Sequence, residues 1–146
     1  MNAEVIRILL DRFNHKAPIA CTFGMTLSYT DDGSAVFDLP YNPSLDHALG
    51  GIHGGIYATM LDNATGFTVA AAQESACWVA TSELSVHLLR PAQKTALRSV
   101  GRIMKLGKRV SVAEGHLYDG DGQLVGHAVG TFVIIADMPL IQEQPQ

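Results

Sequence analysis

The sequence predicts an α+β fold in which one long buried helix lies against an antiparallel sheet of five or six strands. The run from Gly54 to about Gln73 is nearly uncharged and apolar on almost all sides, as a buried helix would be. The second half of the chain alternates apolar and polar residues between glycine-containing turns, which is typical of antiparallel strands. With 146 residues, the chain is long enough for a single domain, 1–146, and too short for separate catalytic and binding domains.

The first part of the chain predicts a helix followed by a hairpin. Residues 1–17 predict an amphipathic helix whose charged residues interrupt any continuous apolar stretch, which excludes a signal peptide. The stretch CTFGMTLSYTDDGSAVFDLP then predicts two strands joined by a tight turn at Asp32-Gly33. The apolar stripe of the helix consists of Val5, Ile6, Leu9, Leu10 and Phe13.

Four more strands follow the long helix. The stretch WVATSELSVHLLRP alternates with period two and predicts the first of them. Three further strands are expected within residues 95–136, with turns at 106–108 and 119–122. Residues 138–146 are expected to form a disordered tail.

Composition and charge exclude several classes of function. The net charge of −4 and the scattered lysines and arginines give no basic surface for nucleic acid. No apolar run is long enough to span a bilayer, so no membrane partner is expected. The two cysteines, Cys21 and Cys77, form no Cys-x-x-Cys pair and are typical of reduced thiols in a cytoplasmic protein. The low charged fraction of 16% suggests that oligomerisation covers part of the surface.

A glycine-rich loop, GGIHGG, precedes the long helix. A helix that begins at Gly54 or Gly55 presents unpaired backbone N–H groups at the positive end of its dipole. Glycine there lets a carbonyl group approach the backbone, which makes an oxyanion site. The same glycines would equally serve tight turns and close packing, and the motif alone leaves both interpretations open.

Asp62 is the single carboxylate in the long helix. Helical spacing places it on a small, partly polar face with Gly55, Thr59 and Gly66. A carboxylate within an apolar run needs hydrogen-bond partners or a chemical task. Gly54 and Asp62 are eight residues apart, or about 12 Å along a helix, too far to act on one carbonyl group. We therefore expect two copies of the helix to pack antiparallel about a two-fold axis, so that each dimer has two shared sites.

Three segments carry a family resemblance: HALGGIHGGIYATMLDNATG, TSELSVHLLRPA and GKRVSVAEGHLYDGDGQLVGHAVGTFVI. Together, over roughly residues 20–135, the chain resembles the hotdog-fold thioesterase superfamily, and in particular the PaaI-type acyl-CoA thioesterases. The resemblance implies a sheet wrapped around the long helix, and homodimers that pair into tetramers. It also implies hydrolysis of an acyl-CoA to a free acid and coenzyme A, without a cofactor of the enzyme's own.

The resemblance also implies roles for individual residues. Gly54 would donate its N–H to the thioester carbonyl, and Asp62 of the partner would act as nucleophile or general base. Thr81 matches the hydroxyl that orients water, although strict alternation places it on the polar face of its strand, so this role requires a bulge or a strand end. Family members commonly have asparagine where this chain has His47, and a neutral imidazole can donate the same hydrogen bond.

The remaining candidates concern substrate binding. His53 is expected to brace the loop beside Gly55. An apolar acyl pocket is also expected, and Phe67 is one of its candidate residues. A metal site built from His47, His53 and Asp62 is not expected, because the His-x-x-x-His spacing is missing. Candidates for the acyl pocket are Tyr57, Met60 and Leu61, and those for the phosphates of coenzyme A are Arg90, Lys108 and Arg109.

Two other functions fit the same sequence. A hotdog dehydratase or hydratase acting on 3-hydroxyacyl thioesters also places a histidine loop against an acidic residue on this helix. A non-catalytic acyl-CoA-binding domain would keep the fold without the chemistry, and His47 in place of asparagine favours it. Acyl chain length and aryl preference depend on packing across an interface and are not predicted.

Overall fold

The structure is a computed structural model that describes residues 1–139, with side chains to residue 136. Three α-helices accompany six strands, with a π-helical turn at Arg12–Lys16 and a 3-10 turn at Pro43–Leu45. The helices are α1 (Ala3–Asp11), α2 (Pro18–Phe23) and α3 (Gly54–Ala71). The strands are β1 (Thr26–Tyr29), β2 (Ala35–Leu39), β3 (Cys77–Leu88), β4 (Leu97–Lys105), β5 (Val110–Asp119) and β6 (Leu124–Pro139).

All six strands form one antiparallel sheet, and α3 packs on one of its faces. The strand order is β1-β2-β4-β5-β6-β3, so β1 and β3 are the two edges. The helix contacts β2, β3, β4, β5 and β6. The predicted α+β architecture, with a hotdog arrangement of the sheet around one long helix, is confirmed.

Two glycines allow α3 to lie close to the middle of the sheet. Gly101 on β4 and Gly115 on β5 are direct cross-strand partners. A Cβ atom on Gly101 would lie 2.2 Å from the carbonyl oxygen of Ala64, and one on Gly115 would lie 3.1 Å from Cδ2 of Leu61. The sheet therefore presents bare backbone where the helix crosses it.

The N-terminal segment differs from the prediction of one helix over residues 1–17. Helix α1 ends at Asp11, a π-helical turn follows, and α2 begins at Pro18. The residue before a proline disfavours helical dihedral angles, and Ala17 is extended, with φ −80° and ψ 117°. The predicted first strand is consequently wrong at its start, because Cys21 belongs to α2 and β1 begins only at Thr26.

The C-terminal end also differs from the prediction. Strand β6 continues to Pro139, so the first two residues of the predicted disordered tail, 138–146, belong to the sheet. The remaining residues, 140–146, lie outside the described part of the chain. None of the helices within residues 1–139 combines the length and the apolar character needed to cross a bilayer.

Candidate active site

A hydrogen bond joins Asp62 on α3 to Thr81 on β3. The Thr81 hydroxyl donates to Oδ1 of Asp62 over 2.7 Å. Thr81 can do so because β3 carries a bulge: Ser82 is an extra residue between Thr81 and Glu83, whose partners on β6 are consecutive. Strict alternation would put Thr81 and Glu83 on the same face. The bulge removes this constraint and lets Thr81 reach α3.

His53 caps the N-terminus of α3 and thereby determines which backbone donor remains unused. Its Nδ1 accepts the N–H of Gly55 over 2.9 Å, and its carbonyl accepts the N–H of Ile56 over 2.9 Å. Within residues 1–139, the N–H of Gly54 has no acceptor. The free donor at the positive end of the helix dipole is therefore that of Gly54.

His47 is held in the loop before α3 by hydrogen bonds on both sides. Its backbone N–H donates to the carbonyl of Gly51 over 2.8 Å, and its Nδ1 accepts the N–H of Leu49 over 3.1 Å. A neutral imidazole that accepts at Nδ1 carries its proton on Nε2. The exposed ring of His47 therefore offers an Nε2–H donor, as an asparagine side chain would offer an amide N–H.

Gly54 and Asp62 lie near different ends of β3 within one chain. A Cβ atom on Gly54 would lie 2.9 Å from Cδ1 of Leu88, the last residue of β3. Asp62 instead contacts Thr81, which precedes Leu88 by seven residues. At 3.3 Å per residue, Thr81 and Leu88 are roughly 23 Å apart along the strand. The single chain does not bring the two predicted catalytic groups together.

A cavity of about 260 Å³ opens beside Asp62 and Thr81. Most of its lining is apolar, and the indole of Trp78 on β3 is half exposed there. Of this wall the sequence predicts only Phe67, because the lining residues come from three separate elements, α1, α3 and β3. The apolar and aromatic residues that line it are Leu9, Phe67, Ala70, Cys77, Trp78 and Val79.

Three of the four predicted acyl-pocket residues belong instead to the core of the chain, and only Phe67 lines the cavity. Met60 and Leu61 have no exposed surface, and Tyr57 is 3% exposed. Burial raises the pKa of Tyr57, whose hydroxyl donates to the carbonyl of Arg90 over 2.9 Å. A side chain without exposed surface offers no face to a substrate, so this part of the pocket prediction is replaced by the cavity beside Asp62.

The three basic candidates for the coenzyme do not gather in one chain. Arg90 follows β3 and lies beside the start of β6, where its N–H donates to the carbonyl of Val125. Lys108 and Arg109 lie between β4 and β5, and the carbonyl of Arg109 accepts the N–H of Ile134. Those contacts on β6 are nine residues apart, or roughly 30 Å along the strand. Any shared role of the three residues therefore requires a second subunit.

Comparison with known proteins places these residues in a family. The sequence model of the thioesterase superfamily matches residues 49–126, which include Gly54, Asp62 and Thr81. A protein of Saccharolobus solfataricus named "Putative esterase" is 31% identical over 105 residues, which cover 72% of this chain and 74% of that protein.

Two solved structures show the same fold. A Bacillus halodurans protein solved with CoA is 30% identical, with a TM-score of 0.77 over 91% of this chain and 89% of that one. A phenylacetic acid degradation-related protein of Ralstonia eutropha is 30% identical, with a TM-score of 0.74 over 84% of this chain and 96% of that one. Because the family match covers more than half of its residues and the fold agrees, the chain belongs to the thioesterase superfamily.

Proposed function

We propose that this thioester hydrolase acts on acyl-CoA, with Asp62 of one subunit and the Gly54 N–H of its partner forming each site. The observation that carries the proposal is the hydrogen bond between Thr81 and Asp62, which both line the apolar cavity. It holds a carboxylate beside space for an acyl group. The Bacillus halodurans relative solved with CoA supports coenzyme A as the thiol part of the substrate.

The Gly54 N–H and the Asp62 carboxylate have different roles in the hydrolysis. The Gly54 N–H, with the helix dipole behind it, stabilises the negative charge on the carbonyl oxygen as the tetrahedral intermediate forms. Asp62 either takes a proton from the attacking water or attacks the carbonyl carbon itself, and water then hydrolyses the resulting anhydride. In both routes a C–O bond forms, the C–S bond breaks, and the coenzyme A thiolate receives a proton.

The edge position of β3 supports a specific dimer. Two β3 strands that pair antiparallel about a point between Leu84 and Ser85 place Thr81 of one chain opposite Leu88 of the other. Thr81 contacts Asp62, and Leu88 lies against Gly54. This pairing therefore brings each carboxylate towards the oxyanion donor of the other subunit, as the expected two-fold axis requires. Pairing of such dimers into a tetramer is part of the same proposal.

The size and lining of the cavity support an acyl group that is aromatic or of short to medium length. The half-exposed indole of Trp78 and the ring of Phe67 offer aromatic surface for stacking. A thiol-release screen over short, medium, long and aromatic acyl-CoA esters tests this. Preference for a long-chain ester would contradict the assignment of the cavity.

Mixed dimers of two inactive variants test whether the site is shared. Gly54→Pro removes the oxyanion N–H at the first helical position, where proline is tolerated, and His53 already has the extended conformation that precedes a proline. Asp62→Asn removes the carboxylate. After refolding at equal concentrations, random pairing makes about half the dimers mixed, each with one intact site. About a quarter of wild-type activity should return.

Gly54→Ala is the matched control for Gly54→Pro. It adds a Cβ atom against the same Leu88 methyl group and keeps the N–H. Gly54→Ala should therefore retain far more activity than Gly54→Pro if the donor is what matters. If native mass spectrometry confirms mixed dimers and the activity stays at the sum of the two variants, the shared site is refuted.

A further inference from the structure

Three histidines form a row across the face of the sheet opposite α3. His87 on β3 is the direct partner of His127 on β6, and His127 is the direct partner of His116 on β5. On β5, Gly115 contacts α3 and Leu117 is fully buried, so His116 and its neighbour at i−2, Glu114, point the other way. The row and Glu114 therefore share one face, away from Asp62.

We propose that Glu114, His116 and His127 bind a divalent transition metal, with zinc as the best-fitting ion. One ligand atom from each residue lies within 4.8 Å of the others. Oε2 of Glu114 is 3.2 Å from Nε2 of His127. Two ligands at about 2.0–2.1 Å from a tetrahedral zinc ion lie roughly 3.3 Å apart, so this pair already has a suitable separation. Two histidines and one glutamate are a known zinc ligand set that leaves a fourth position open.

His87 supports the site without contacting the metal. Its Nδ1 is 3.1 Å from Nδ1 of His127, and the two ring planes are 9° from parallel with their centroids 5.4 Å apart, so the rings meet edge to edge. When Nε2 of His127 binds a metal, its proton resides on Nδ1, which then donates to Nδ1 of His87. A metal-bound histidine normally has such a second hydrogen bond, which orients the ring.

Arg102 is the charged neighbour that opposes cation binding. Its Nε donates to Oε1 of Glu114 over 2.8 Å, and its other contact is to the same oxygen. Oε2, which faces His127, accepts no hydrogen bond from Arg102. Arg102 therefore holds the carboxylate by one oxygen and leaves the other for a metal, but its positive charge lowers the affinity. Arg102→Gln should bind the metal more tightly than wild type.

Zinc titration of metal-stripped protein against a chromophoric chelator tests the proposal. Wild type should bind one zinc ion per chain at this site, and zinc should raise the unfolding temperature. His87→Ala removes the hydrogen-bond partner of a metal ligand and should weaken zinc binding by about 10–100-fold. His116→Ala and His127→Ala each remove a ligand and should weaken zinc binding by at least as much. Thiol release should stay unchanged in all three variants, because the cluster lies away from Asp62.

Controls separate this cluster from other metal-binding groups on the surface. His15→Ala removes an exposed histidine of the N-terminal segment and should bind zinc as wild type does. Cobalt spectra should lack a thiolate band, since Cys21 is exposed and would add one if it were a ligand. Circular dichroism checks that each variant folds. Glu114→Gln is a nearly isosteric alternative to the alanine variants, because it removes the carboxylate ligand with little change of shape. The proposal is overturned if wild type binds zinc no more tightly than about 0.1 mM. It is also overturned if the folded variants His116→Ala and His127→Ala bind zinc as tightly as wild type does.

Discussion

The Thr81 hydroxyl is a hydrogen-bond donor to the Asp62 carboxylate, and a one-residue bulge in the edge strand makes this contact possible. A hydroxyl in this position fixes one carboxylate oxygen and leaves the other to act on water or on the acyl carbon. Thr81→Val keeps the shape and removes the donor. We expect thiol release to fall by about 10-fold or more, because the carboxylate loses its orientation.

Ser82→Ala is the matched control for Thr81→Val. The Ser82 hydroxyl donates to the carbonyl of Thr131 over 3.1 Å and makes no contact with Asp62. Steady-state thiol release should therefore differ little between Ser82→Ala and wild type. If both variants lose thiol release equally, the effect is due to the bulge and not to the hydroxyl of Thr81.

Asp62→Asn should abolish hydrolysis and leave the fold and the binding of acyl-CoA largely intact. The amide keeps the size of the side chain and can still accept from Thr81, but it is neither a base nor a nucleophile. Turnover is measured by thiol release and binding by calorimetry. A variant that hydrolyses at the wild-type rate would show that Asp62 is structural.

His47→Ala should reduce kcat on the order of 10²-fold if the Nε2–H of His47 is a second oxyanion donor. His47→Asn replaces the imidazole with the amide that is common in the family, and should restore much of the loss. The comparison of kcat among the three proteins decides the role. If kcat of His47→Ala differs from that of wild type by less than about threefold, His47 has no role in catalysis.

The two cysteines should differ in reactivity. Burial raises the pKa of the Cys77 thiol, so less thiolate is present at neutral pH, whereas Cys21 is exposed. Titration with a thiol-reactive disulfide dye should therefore modify one thiol per native chain rapidly and both thiols after denaturation. Cys21→Ser should remove the rapid phase, and rapid labelling that persists in this variant would mean that Cys77 is accessible.

Gly101→Ala should destabilise the fold strongly. The added Cβ atom would lie 2.2 Å from the carbonyl oxygen of Ala64 and 2.3 Å from Oγ1 of Thr68, so α3 would have to move. Overpacking typically costs roughly 1–3 kcal/mol, and contact with helix backbone places this variant at or above the upper end. Chemical denaturation measures the loss. Gly66→Ala, whose Cβ atom meets the Phe132 ring at 3.2 Å, is the milder comparison.

Much of the fold follows from the sequence because its period-two and helical patterns are local. The apolar stripe continues through Phe13 and does not reveal the break before Pro18, which the proline itself imposes on the residue before it. The pocket prediction fails for Met60 and Leu61 because a nearly all-apolar helix does not reveal which of its sides faces the sheet. The strand partners β4 and β5 determine that side.

The sequence predicts Gly54, Asp62 and Thr81 as site candidates but does not predict their geometry. The need for a bulge at Thr81 follows from alternation alone, but its presence depends on the pairing of β3 with β6, which are far apart in the chain. The sequence does not predict the histidine row, for the same reason. His116 and His127 become neighbours only through the register of the β5–β6 hairpin, and His87 joins them from a third strand.

The two edges of the sheet differ greatly in length: β1 has 4 residues and β3 has 12. An association through the long edge that is related by a two-fold axis uses the same strand from both chains and leaves the short edges outermost. Four residues give too few ladder hydrogen bonds to recruit a further sheet. Strand pairing in this protein would therefore end after one step, giving a closed particle of fixed size instead of a growing fibre.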